Sequence, residues 1–124
     1  MRTKLLFTVV LVLAIFLIST GASEAADLYT APIFSSTNPD EVFCNLANIG
    51  AATQTYRIRI VQDDGTTVSD TGSHSLPAGA ITSIGVFGNG QYHYCRFTVS
   101  TKSSVRGSIT FNPGGKQAFA VPAN

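Results

Sequence analysis

Past residue 25 the chain holds three leucines, one glutamate and no methionine, so it lacks most of the side chains that favour helix. Tryptophan is absent, and histidine is limited to His74 and His93. A metal site needs three or four ligands at suitable spacing, and no H-x-H, H-x-x-x-H or C-x-x-C pattern supplies them. Charge is scarce as well, at 12% of residues. Residues 26–124 carry six basic and six acidic side chains, so net charge gives no reason to expect nucleic acid. No G-x-S-x-G is present, and the glycine cluster at residues 85–90 has neither the spacing nor the following helix of a phosphate loop. These absences argue against an enzyme, a cofactor and a metal.

One long apolar run exists, at residues 5–18, behind the positive Arg2 and Lys4. Its fourteen residues would span roughly 21 Å as a helix, short of the roughly 30 Å hydrocarbon core. Small and polar residues follow at 19–26, the layout of a secretory signal peptide. Ser23 and Ala25 place cleavage after Ala25, with Ala26 as the near alternative. The expected organisation is a leader at 1–25 and one domain at 26–124, secreted to the periplasm or beyond, with membrane contact only before cleavage.

What remains is rich in β-branched residues: seven Val, seven Ile and eleven Thr after residue 25. Such side chains are stiff at the first torsion and suit a pleated surface. Residues 92–99 alternate cleanly, with Cys95, Phe97 and Val99 on one side and Tyr94, Arg96 and Thr98 on the other. Cys44 lies in a second alternating run, at 42–46. Two cysteines in an exported chain favour a structural disulfide, Cys44–Cys95.

Further strands are expected at about 28–34, 42–48, 54–62, 66–71, 80–87, 105–111 and in the tail 116–122. Polar, glycine- or proline-bearing stretches separate them, including a loop at 35–40 and tight turns at 63–66 and 88–91. The prediction is all-β: a seven- to eight-stranded antiparallel β-sandwich. The Val-x-Cys-x-Leu and Cys-x-Phe-x-Val runs, about fifty residues apart, resemble the facing strands of immunoglobulin-type and fibronectin-type sandwiches. The resemblance implies that architecture and no particular function. It further implies that the strands at 54–62, 92–99 and 105–111 share one sheet.

On that basis alternation gathers Arg57, Arg59, Tyr92, Tyr94, Arg96 and Arg106 on one outer face, four of the six basic residues after the leader. Arginine and tyrosine are over-represented at binding hot spots, and such a face would suit an acidic glycan or a protein partner. The bland alternative is that the arginines lie over the tyrosine rings and keep an outer surface solvated. His74 is expected in a loop and His93 inward beside Cys95, while Asp63 and Asp64 read as turn residues.

The leading functional expectation is an exported, non-catalytic binding module. An assembly subunit pairing through an edge strand is the first alternative, with the tail at 117–121 and the proline-broken first strand as its edges. A small secreted enzyme inhibitor is the second, though no loop is long enough to nominate.

Overall fold

The computed structural model describes residues 24–117 and 119–124. Eight strands occupy most of them: β1 Ala26–Tyr29, β2 Ile33–Asn48, β3 Gln54–Gln62, β4 Thr67–Asp70, β5 His74–Leu76, β6 Ile81–Val99, β7 Val105–Asn112 and β8 Phe119–Pro122. All pairings are antiparallel and belong to one eight-stranded sheet. Among the described residues helix is confined to two single 3-10 turns, Lys102–Ser104 and Pro113–Gly115. The all-β expectation therefore holds. The expected leader, apart from Glu24 and Ala25, lies outside the described residues.

Two expected interruptions are absent. Residues 35–40 lie within β2, and residues 88–91 within β6. Each long strand pairs with the other across this region, from Ile33 opposite His93 to Thr37 opposite Asn89. The register then jumps to Glu41 opposite Phe87, so β2 advances four residues while β6 advances two. The surplus on β2 bulges outward and includes a cis Asn38–Pro39 bond. Gly90 has φ +79°, the left-handed backbone that a tight turn needs, yet β6 continues through it as a strand beside the jump. The Asp40 carboxylate clips the bulge in place, accepting from the Ser36 hydroxyl at 2.6 Å and from the Gly114 N–H at 3.0 Å.

The long strands give the sheet its order. Residues 41–47 of β2 lie between the first half of β6 and β7, and β8 follows on β7. The second half of β6 pairs with β3 on one side and β1 on the other, with β4 and β5 beyond β3. Hydrogen bonds at the chain's end join β1 back toward β7: Tyr29 and Asn124 exchange bonds of 3.1 and 3.0 Å, and Ala123 N–H donates to the Gly107 carbonyl at 2.9 Å. The first strand and the tail, expected as free edges, are thus tied to one another at residues 29–30 and 123–124.

Buried side chains from both halves of the sheet form one core. Val42, Cys44 and Leu46 of β2 meet Ile58 and Ile60 of β3, Cys95, Phe97 and Val99 of β6, and Val105 and Ile109 of β7. Burying each large member contributes about 1.5–3 kcal/mol. The Cys44–Cys95 disulfide crosses this core with both residues fully buried and Cα atoms 5.6 Å apart. The ladder partners of Cys44 are Ile84 and Ile109, and that of Cys95 is Ile60. The bond therefore links segments that no ladder sets side by side.

Candidate functional site

Inward alternation in β3 and β6 leaves their remaining residues on the outer face, as the sequence leads one to expect. Arg57 stands opposite Thr98, Arg59 opposite Arg96 and Val61 opposite Tyr94. Val61 is an exception to the pattern, being buried although it shares the arginines' parity. On the far side of β6, β1 sets Asp27 opposite Thr98 and Tyr29 opposite Arg96, and the start of β2 sets Phe34 opposite Tyr92.

Carboxylates from neighbouring strands neutralise much of this face. Asp70 of β4 takes a two-pronged bond from Arg57, whose Nε donates at 2.9 Å. That bond, helped by the Gly72 N–H, holds the Asp70 carboxyl down at about 2. Asp27 accepts from Arg96 Nε at 3.0 Å, from the Thr98 hydroxyl and from the Tyr29 hydroxyl at 3.2 Å. Burial opposes ionisation of Asp27, but the bonds from Arg96 and Thr98 outweigh it and leave the carboxyl below its ordinary value. Arg59 donates from Nη2 to the Thr98 hydroxyl at 3.1 Å. Among the described residues no carboxylate forms an ion pair with Arg59, and its buried Nε has no partner.

Beside the charges lies a run of rings. Tyr29 and Tyr94 have centroids 6.4 Å apart, and Phe34 meets Tyr92 edge-on at 5.2 Å. The Arg96 guanidinium sits 5.7 Å from the centre of the Tyr29 ring, within cation–π range. Tyr29, Phe34 and Tyr92 remain 44%, 48% and 48% exposed. The site is therefore a ring-lined strip edged by paired charges, with Arg59 as the arginine of the strip that forms no direct ion pair among the described residues, although its charge acts on Asp70.

Arg106 does not belong to it. It lies on β7, whose ladder partners are β2 and β8 rather than β6, and its guanidinium donates to the Val105 carbonyl at 2.7 Å. Its outward parity was legible, whereas the neighbour of its strand was not. Tyr29, Phe34, Asp27 and Asp70 were missed. Asp27 and Tyr29 alternate outward in the first strand, but nothing local shows that this strand lies beside β6.

The histidines sit apart from the strip. His93 is fully buried beside Cys95 as expected, with Nδ1 3.1 Å from the Ser35 hydroxyl. Burial lowers its pKa, opposed by the Gln91 backbone and the charge of Asp63. Ser35 is equally buried, so the pair has no access to a substrate. His74 lies in β5 rather than in a loop, and its Nε2 is 2.7 Å from the Thr71 carbonyl. Asp64 accepts from the Thr66 N–H at 2.8 Å, a turn contact.

No protein-family model and no curated protein matches the chain. Its fold is similar to the crystal structure of Thermotoga maritima 1070, with a TM-score of 0.50 and 11% identity over 81% of this chain and 93% of that one. At that identity the likeness concerns the fold alone.

Proposed function

We propose that this protein is an exported, non-catalytic binding module. Its sheet closes over the disulfide as an immunoglobulin-like β-sandwich, and its contact surface is the strip of Tyr29, Phe34, Tyr92 and Tyr94 with Arg59 and Arg96. The buried Cys44–Cys95 bond suits an oxidising compartment, and no helix among the described residues is long and apolar enough to cross a membrane. The observation that carries the reading is three aromatic rings left about half exposed on one face beside arginines. Rings with two torsions lose little entropy on binding, and contiguous exposed apolar surface marks contact sites. Because Arg57 and Arg96 are already paired, the rings supply the main attraction and Arg59 selects for negative charge. An acidic glycan matches both properties, with sugar faces on the rings and a carboxylate or sulfate near Arg59.

The test is capture of the exported protein on an array of acidic and neutral polysaccharides. Retention on acidic glycans, abolished by joint Tyr29→Ala, Phe34→Ala and Tyr92→Ala and weakened by Arg59→Gln, supports the proposal. Failure of the unaltered protein to bind any glycan, or binding that survives the ring substitutions, overturns it.

A further inference from the structure

The first half of β6 has a ladder partner on one side only. From Ile81 to Phe87 it pairs with β2, whereas β3 and β1 join β6 at 93–99 and 96–99. Other strands with a single ladder neighbour are short: β1, β4, β5 and β8 have four, four, three and four residues. Short or charged edges are the usual protection against pairing with another chain. The β6 edge has neither device. Its sequence is Ile-Thr-Ser-Ile-Gly-Val-Phe, with no charge and no proline.

We infer that residues 81–87 of β6 pair antiparallel with the same residues of a second copy of this chain, about a twofold axis at Ile84. Ile81 and Phe87 are the most exposed large apolar residues described, at 75% and 59%. They sit on one face, each three residues from Ile84. Pairing centred there sets Ile81 against Phe87 of the other copy at both ends, Thr82 against Val86, and Ser83 against Gly85. A centre at Ser83 would set Phe87 against Gly79, outside the strand, and a centre at Gly85 would set Ile81 against the polar Asn89. The pattern therefore selects one register.

Two further features fit the same occupant. The core-facing residues of this segment, Thr82, Ile84 and Val86, are only half-buried, so a neighbouring strand would complete their burial. A hollow of about 220 Å³ lined by Glu41, Phe43, Gly85, Val86 and Phe87 lies beside the edge, where the partner's Ile81 would enter. This association is independent of the aromatic strip, and either proposal can fail alone.

Sedimentation equilibrium of the full exported protein tests it, with concentrations extending to the millimolar range. A mass of two chains is expected, falling twofold to one chain in the Ile81→Lys/Phe87→Lys variant, where like charges face each other. The Ile81→Lys/Phe87→Glu variant, with opposite charges at the same positions, should recover the two-chain mass. Both variants alter exposed side chains, and circular dichroism checks that each remains folded. A single-chain mass for the unaltered protein, or a two-chain mass that persists in the doubly lysine-substituted variant, overturns the inference.

Discussion

Arg59 and Arg96 face each other across the β3–β6 ladder. Like charges in opposed ladder positions repel, and the strands flanking them supply the remedy. Asp70 is the β4 partner of Arg59 and bonds Arg57, while Asp27 on β1 bonds Arg96. Four strands thus contribute to one charge arrangement that no single strand contains.

Acid should loosen this face. The Asp70 carboxyl is lowered from 3.8 to about 2 by the Arg57 bond, so the stability it contributes is complete above 3.8 and disappears as pH falls through about 2. Asp27 acts in the same direction. Urea unfolding across this acid range should show stability falling with pH, and the Asp27→Asn/Asp70→Asn variant should show a shallower fall. Partial exposure of both pairs keeps the effect modest, and added salt should reduce it.

His93 governs a separate window. Its folded pKa is lowered from 6.5 by burial, so the unfolded chain takes up a proton that the folded core refuses. The associated stability is present above 6.5 and is lost as pH falls below that value. Denaturation midpoints measured from neutral to mildly acid pH should decline, and His93→Gln should remove that decline even if it lowers stability throughout.

Loss of the disulfide should be costly. Cys44 and Cys95 are 51 residues apart in sequence, and closing a loop of that length stabilises by roughly 4 kcal/mol in the chain-entropy model. The Cys44→Ala/Cys95→Ala variant should unfold at markedly lower denaturant concentration than the oxidised protein, with a steeper slope because the unlinked unfolded chain exposes more surface.

Two glycines should respond differently to alanine. A Cβ at Gly107 would lie 2.8 Å from the ring of Phe97, which is fully buried, and 3.2 Å from Ala123. Gly107→Ala should therefore cost about 1–3 kcal/mol through overpacking. A Cβ at Gly85 would fall 2.5 Å from the Phe43 ring, which is only half-buried and can swing away. Thermal melts of the two variants should rank Gly107→Ala as clearly the more damaging.

Much of the local pattern was legible from the residues. The inward sets Ile58 and Ile60, Cys95, Phe97 and Val99, and Val42, Cys44 and Leu46 are buried as alternation requires. The candidate face was half legible. Arg57, Arg59, Tyr92, Tyr94 and Arg96 come together, Arg106 does not, and the neutralising Asp27 and Asp70 arrive from strands far away in sequence. Gly88-Asn89-Gly90 shows why local chemistry misleads there. Glycine at positive φ fits a hairpin turn or a distorted stretch of strand, and only the pairing of β2 with β6 decides between them.

By itself, the order of residues determined strand content, the inward set of each strand and the two sulfurs available to bond. Those follow from β-branched stiffness and a period of two, which are properties of a few consecutive residues. Tertiary structure alone decided that β7 lies beside β2, that β1 brings Asp27 to Arg96, and that half of β6 stays unpaired along one edge. Such choices depend on which distant apolar faces can be buried together, and that balance is struck over the whole chain.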